Sequence, residues 1–104
     1  MTTTIEQLEA MRELPENWDG CGGAAPRPDI INLAMAYVGM MEALGAGPLH
    51  VSPTRIGGVL MEWEGGVIGH EVEFDPDGSI HSLRFNRETN EIETSEGAML
   101  SRPI

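Results

Sequence analysis

Lysine is absent from this chain of 104 residues. All six basic residues are arginines, set against 17 aspartates and glutamates, and the formal net charge is −11 at pH 7. A surface this negative is repelled by nucleic-acid phosphates and by anionic lipid, so we predict that the protein binds neither directly. The same charge attracts basic protein surfaces, including those with which other proteins hold DNA or RNA. Acidic charge that only keeps the protein in solution is the simpler alternative.

Cysteine and long apolar runs are equally scarce. The lone Cys21 has no partner for a disulfide within the chain, which is typical of a cytoplasmic protein. No apolar stretch approaches the length of about 20 residues that crosses a bilayer. The first residues, M-T-T-T-I-E-Q-L-E, lack the basic and apolar regions of a signal peptide. We therefore expect a single domain over residues 1–104 that is cytoplasmic and does not bind membranes.

Motifs of known chemistry are missing as well. The sequence has no G-x-x-x-x-G-K segment, no G-x-G-x-x-G after a strand and no G-x-S-x-G. Cys21 is flanked by glycines, with no candidate base beside it, and His50, His70 and His81 are not spaced as metal ligands. We predict no catalytic residue, metal or cofactor. A small enzyme or metal protein that uses Cys21 and the histidines is the least favoured alternative.

Two helices are predicted in the first half of the chain. The first covers about residues 4–14: Thr3 or Thr4 caps it, and Pro15 ends it because the residue before a proline avoids the helical region. The second covers about residues 28–44, with Pro28 at its first position and Gly45 after its end. The second helix is apolar nearly all round and rich in methionine, which favours a cover on more than one side. A homodimer through this helix is therefore one alternative.

The second half predicts a β-meander over about residues 49–95 and a short tail, residues 96–104. The segments V-L-M-E-W-E and V-I-G-H-E-V-E-F flank Gly65-Gly66, the expected two-residue turn of a hairpin. That turn gives three inward pairs: Val59–Val72, Met61–His70 and Trp63–Ile68. Because side chains alternate along a strand, four carboxylates share the opposite face: Glu62, Glu64, Glu71 and Glu73.

The segment Asp75-Pro76-Asp77-Gly78 has the composition of the next turn. A glycine bulge there would direct Ile80 to the core, whereas a tight turn would direct Leu83 and Phe85 inward. Because two apolar side chains bury more surface than one, we predict Leu83 and Phe85 inward, with Arg84 among the glutamates. The whole is an α+β fold, in which two N-terminal helices pack on one face of a four- to five-stranded antiparallel sheet.

The connection between the helices reads L-P-E-N-W-D-G-C-G-G-A-A-P-R-P over residues 14–28. Asn17 and Asp19 are residue types that hydrogen-bond local backbone in turns, and Gly20 permits a left-handed conformation. Burying Trp18 would contribute a few kcal/mol. We predict a structural clasp made by Asn17, Trp18, Asp19 and Gly20 that joins the first helix to the second.

The clasp and the hairpin carry a resemblance. L-P-E-N-W-D-G, then G-G-V-L-M-E-W-E and E-V-E-F-D-P-D-G, are similar to segments of a group of uncharacterised small bacterial proteins. These share the pattern L-P-x-N-W-D-(G/S)-Y-G-A and a later hairpin of the G-G-V-x-x-E-W type. The resemblance covers nearly the whole chain, but it implies no activity or cofactor. The chain departs from the pattern at Cys21, where an aromatic is usual, and at Arg27, where a capping serine would lie.

The favoured functional prediction is a non-enzymatic protein of bacterial or phage origin that binds a protein partner with a basic surface. A nucleic-acid-handling or toxin-like enzyme fits this description, and the chain would then act as an immunity protein, an antitoxin or an anti-CRISPR-like inhibitor of a defence system. Two sets of carboxylates are the predicted contacts: Glu62, Glu64, Glu71 and Glu73 of the hairpin, and Glu6, Glu9 and Glu13 of the first helix.

Overall fold

The first helix begins at a capping box. In the computed structural model, which describes residues 3–45, 50–63 and 67–98, helix α1 spans Thr4–Ala10 and Thr3 is its N-cap. The Thr3 hydroxyl accepts a hydrogen bond from the Glu6 backbone N–H at 3.1 Å, and the Glu6 carboxylate accepts one from the Thr3 N–H at 2.9 Å. These bonds satisfy two donors that a helix start leaves unpaired. One turn of 3₁₀ helix, Met11–Glu13, replaces the last turn of the predicted α-helix.

The second helix, α2, spans Pro28–Ala43. Pro28 occupies its first turn, and Gly45 follows its end with a left-handed φ of 75° and donates its N–H to the Glu42 carbonyl. Both ends therefore lie where the proline and the glycine predict them. One stripe of the helix is fully buried: Ile30, Ile31, Ala34 and Val38.

Arg12 connects the two helices. Its Nη2 donates to Asn32 Oδ1 at 2.6 Å and contacts Met35 Sδ at 3.2 Å, and its Nε donates to Glu9 at 2.5 Å. The guanidinium thus joins α1 and the 3₁₀ turn to the surface of α2. This arginine and the core packing of Leu8 and Met11 against α2 make the helix-to-helix link that we predicted for the clasp.

Five antiparallel strands follow in sequence order, and each pairs with the next. They are β1 (His50–Pro53), β2 (Val59–Trp63), β3 (Ile68–Phe74), β4 (Ser79–Asn86) and β5 (Ile92–Ala98). The predicted α+β meander is therefore confirmed. Strand β5 includes residues 96–98, which we had assigned to the tail. Residues 99–104 of that tail lie outside the described part of the chain.

The register of the β2–β3 hairpin differs from the prediction by two residues. Val59 pairs with Phe74, Met61 with Val72 and Trp63 with His70. This register brings Phe74 beside Val59, where it is fully buried, and leaves Ile68 41% exposed. Burying the phenylalanine, which is larger than isoleucine, stabilises the chain more than a two-residue turn would. A shift by two residues preserves the alternation of side chains, so the two faces are as predicted. The predicted turn residues Gly65 and Gly66 lie outside the described residues.

The register of β4 corrects a second expectation. Asp75 N donates to Ser79 O, and Gly78, with a left-handed φ of 89°, donates to Asp75 O. These bonds form a three-residue loop that pairs Phe74 with Ile80. The glycine bulge therefore decides the register, and Ile80 packs against the core. Our prediction that Leu83 and Phe85 face inward is wrong.

The core lies between the two helices and the inner face of β1, β2 and β3. Its buried strand residues are Val51, Val59, Met61, Val72 and Phe74. None of the residues of β4 is buried. Among the described residues, no helix combines the length and hydropathy of a membrane-spanning segment. The helices thus cover one side of the first three strands and leave the outer face of the sheet uncovered.

Candidate protein-binding face

Three of the four predicted hairpin glutamates lie together on the outer face of the sheet. Glu62 follows Met61 on β2, and Glu71 and Glu73 flank Val72 on β3, so all three side chains point away from the core. Leu60 of β2 and Leu83 of β4 lie on the same side. We call the surface formed by these five residues the acidic face. The fourth glutamate, Glu64, lies outside the described residues.

Two glutamates of the acidic face are direct cross-strand neighbours. Glu62 pairs with Glu71 across β2 and β3, and the other neighbour of Glu62 is His50 of β1. Like charges placed directly opposite each other destabilise a sheet. The outward positions of the five described strands include no arginine, and Arg84, which we had predicted among the glutamates, pairs with His70 on the inner side. The fold therefore carries an unfavourable pair without an arginine beside it on these strands.

Apolar side chains occupy the middle of the acidic face. Leu60 lies opposite Glu73, and Leu83 lies opposite Glu71. A shallow cavity of about 300 Å³ opens there, with Leu60, Leu83, Glu71, Glu73, His81 and Glu96 among its lining residues. An apolar centre with a charged rim is the usual anatomy of a protein-binding surface. The cavity can receive the stem of a long basic side chain while the carboxylates contact its charged end.

One end of the outer face is closed by an aromatic ring. Phe85 of β4 pairs with Gly69 of β3, and its ring fills the space that a β-carbon at Gly69 would occupy, 2.1 Å from the Phe85 Cζ. The guanidinium of Arg87 lies 4.8 Å from the centre of that ring. At this end of the sheet the Phe85 ring covers the outer face, and Arg87 adds a positive charge. The acidic surface is therefore restricted to the part nearer the β3–β4 turn.

The opposite end of the face contains a group of titratable side chains. His81 of β4 pairs with Glu73 on one side and with Glu96 of β5 on the other. A hydrogen bond with Asp75, with partial burial and the charges of Asp75 and Glu71, raises the pKa of Glu73 to about 6, although His81 opposes the shift. At neutral pH most of the Glu73 side chains are ionised, so the face then carries its full charge.

The predicted helix carboxylates are placed differently. Helix α1 packs on the inner face at β1, so Glu6, Glu9 and Glu13 belong to the helical side of the protein. Glu6 is engaged in the capping box, where its hydrogen bonds to Thr3 lower its pKa, and Glu9 pairs with Arg12. The structure does not bring these residues together with the acidic face. A single flat partner surface therefore cannot contact both sets.

The predicted clasp is a hydrogen-bonded loop. Asn17, in a left-handed conformation with φ 63°, accepts at Oδ1 from the Gly22 N–H at 2.6 Å. Asp19 Oδ1 accepts from Cys21 N at 2.9 Å and Gly23 N at 2.8 Å, and these bonds lower the pKa of Asp19. Gly20 also has a left-handed φ, of 74°. Polar groups, rather than a buried ring, therefore close this loop.

The loop is tied to the connection between β1 and β2. Arg55 Nε donates to Asp19 Oδ2 at 3.0 Å, and Ala24 N donates to the Arg55 carbonyl at 2.8 Å. Trp18 is half-buried, and its indole N–H donates to Ala24 O at 2.8 Å. The clasp thus joins the connection between α1 and α2 to the connection between β1 and β2, whereas we had expected it to join the two helices.

The candidate residues for metal binding or catalysis are dispersed. His50 and His81 lie on outer positions of β1 and β4 with two strands between them, whereas His70 stacks on Trp63 on the inner side, at 4.9 Å between ring centres. Burial, with the charge of Arg84, lowers the pKa of His70. Within residues 3–45, 50–63 and 67–98, no three histidine, cysteine or acidic side chains are grouped to hold a metal ion. Cys21 is exposed at the clasp.

Sequence reasoning missed part of this site. Leu83 and His81 belong to the outer face because of the β4 register, which Gly78 determines, whereas Leu60 lies there because side chains alternate along β2. The Asp-Pro-Asp-Gly composition contained that signal, since glycine favours the left-handed position of a three-residue hairpin loop. Comparisons with protein families, with curated proteins and with solved structures find no match for the chain.

Proposed function

We propose that the chain is a non-enzymatic protein that binds the basic surface of another protein through its acidic face. The observation that carries the proposal is the Glu62–Glu71 pair on an uncovered sheet face. Like charges directly opposite each other destabilise a sheet, and a partner's arginine or lysine would remove this repulsion. Charges that cost stability in the isolated chain and gain it in a complex are typical of functional surfaces.

The chemistry of the face favours a nucleic-acid-handling or toxin-like enzyme as the partner. Such enzymes hold phosphates with arginine and lysine, and a carboxylate surface competes for the same side chains. Leu60 and Leu83 supply apolar contact at the centre, so recognition does not depend on charge alone. In this role the chain would act in the cytoplasm as an immunity protein, an antitoxin or an anti-defence inhibitor.

Neutralising the acidic face should abolish capture of basic partners. With the chain immobilised, proteins from a bacterial lysate should bind at about 0.1 M salt, be predominantly basic by mass spectrometry, and elute as salt rises to about 1 M because screening shortens electrostatic reach. The triple variant Glu62→Gln, Glu71→Gln and Glu73→Gln should lose them. The control, Glu42→Gln, Glu88→Gln and Glu91→Gln, removes the same charge from exposed positions elsewhere and should retain them.

Two results together would contradict the proposal. They are capture that survives high salt unchanged and capture that the Glu62, Glu71 and Glu73 triple variant retains. Either the bound proteins would then contact another surface, or charge would not be the basis of recognition.

A second candidate function is supported by exposed apolar residues on α2. Met40 is 52% exposed and Leu44, just after the helix, is 73% exposed. These side chains could pack against a second copy of the chain and form a homodimeric assembly module. Light scattering at low protein concentration distinguishes the two functions, since a monomeric mass would exclude the homodimer.

A further inference from the structure

The end of the acidic face near the β3–β4 turn contains a connected set of acidic and imidazole groups. His81 Nε2 lies 2.9 Å from Asp75 Oδ2, and His81 Nδ1 lies 3.6 Å from Glu96 Oε1. Glu73 lies beside the same histidine, since it pairs with His81 across β3 and β4, and the nearby Asp75 carboxyl raises the pKa of Glu73. Glu73, Asp75, His81 and Glu96 are thus linked from β3 through the turn to β5.

One oxygen in this set lacks an ordinary donor. Asp75 Oδ1 is buried and has no hydrogen-bond partner among the described groups, while Oδ2 faces His81. Two ionised carboxylates are both acceptors, so a hydrogen bond between Glu73 and Asp75 requires a proton on one of them. A proton carried by Glu73 would give the buried Oδ1 its donor, and buried polar atoms are rarely left without one.

We propose that Glu73 donates a proton to the buried Asp75 Oδ1 and releases it as the pH rises towards neutrality, so that the acidic face gains negative charge and binds a basic partner more strongly. The link to binding rests on the proposed function above. The Glu73 proton is a property of the isolated chain and can be tested separately.

The surroundings of the pair determine the direction of the effect. Glu71 on the same strand and Glu62 on β2 add negative charge on the acidic face, and Glu96 of β5 lies beyond His81. Asp77, in the turn, accepts hydrogen bonds from the backbone and hydroxyl of Ser79, which lower its pKa. His81 is the group that opposes retention of the proton, because its positive form would favour ionised Glu73. The acids outnumber the imidazole, so the proton stays to a higher pH than on an ordinary glutamate.

The stability of the isolated chain follows the same proton. A carboxyl whose pKa is raised from 4.5 to about 6 by folding contributes stability that is complete below pH 4.5 and is lost as the pH rises through about 6. In Glu73→Gln the side-chain amide can donate to Asp75 Oδ1 at every pH. This variant therefore mimics the protonated state.

The direct test is a titration of the side-chain carboxyl carbons by NMR, with Glu73→Gln used to assign the Glu73 signal. The Glu73 signal should titrate with a midpoint near pH 6, and Asp75→Asn should move that midpoint towards the ordinary glutamate value of 4.5. Glu62→Gln, which changes the same charge on the same face away from Asp75, should leave it nearly unchanged. A Glu73 midpoint near 4.5 in the unmodified chain would overturn the proposed proton on Glu73.

The link to binding is tested with a hexa-arginine peptide as the probe. At about pH 7.5 the unmodified chain should bind the peptide about threefold more tightly than Glu73→Gln, and at about pH 5 the two should bind equally. An equal ratio at both pH values would overturn the coupling of the proton to binding. Absence of peptide binding at either pH, together with a Glu73 midpoint near 6, would count against the proposed function and leave the proposed Glu73 proton intact.

Discussion

Replacing Phe74 by alanine is expected to lower the free energy of unfolding by about 3–5 kcal/mol. The side chain is fully buried, pairs with Val59 and Ile80, and meets the ring of Tyr37 edge-on at 5.4 Å between centres. Domains of this size have a total stability of about 5–15 kcal/mol. The variant should therefore be at the margin of folding, which urea denaturation followed by circular dichroism will measure.

Phe85→Ala is the matched control for that experiment. Phe85 lies on the outer face against Gly69 and Arg87 and is only partly buried, so its removal should cost about 1 kcal/mol. Because both changes remove a phenylalanine, the difference between their losses of stability tests which of the two faces the core, and therefore tests the β4 register. A loss from Phe85→Ala as large as that from Phe74→Ala would place Phe85 in the core and remove the acidic face as described.

Glu71→Arg is expected to stabilise the chain and to weaken its binding. The arginine would lie opposite Glu62 and turn a repulsive pair into an attractive one, which should raise the free energy of unfolding by about 1 kcal/mol. The same change places a positive charge where the basic partner docks, and should weaken binding by at least about tenfold. Opposite effects on stability and binding distinguish a functional carboxylate from a solubilising one.

Binding for this variant is measured with the partner recovered by capture, by calorimetry at fixed salt, and stability by urea denaturation. Glu42→Arg, an exposed position on α2, makes the same charge change away from the acidic face and should leave the affinity unchanged. Equal losses from Glu71→Arg and Glu42→Arg would show that only net charge matters. Unchanged affinity in both would remove Glu71 from the interface.

Local signals in the sequence were sufficient for the start of α1, for both ends of α2 and for the faces of the β2–β3 hairpin. Thr3, Pro28 and Gly45 occupy the terminal positions that their backbone preferences favour. Strict alternation placed Glu62, Glu71 and Glu73 on one face, and a register shift of two residues did not change that face.

The register of β4 and the partners of the clasp depended on competition between distant parts of the fold, which local sequence patterns do not contain. The count of apolar residues predicted that Leu83 and Phe85 face inward, but the three-residue loop at Gly78 determined the register. None of the residues of β4 is buried, so turning Leu83 and Phe85 inward would bury little apolar surface. The partners of the clasp were missed for a related reason. Arg55 is 36 positions away from Asp19 along the chain, and no local pattern links them.

The most direct test of the binding face is a map of backbone amide shifts in isotope-labelled protein titrated with the partner recovered by capture. We predict that the largest changes occur at Leu60, Glu62, Glu71, Glu73, His81 and Leu83. Changes should be small on the helices, which lie on the other side of the sheet. Changes centred instead on Met40 and Leu44, with β2 and β3 unaffected, would contradict the account.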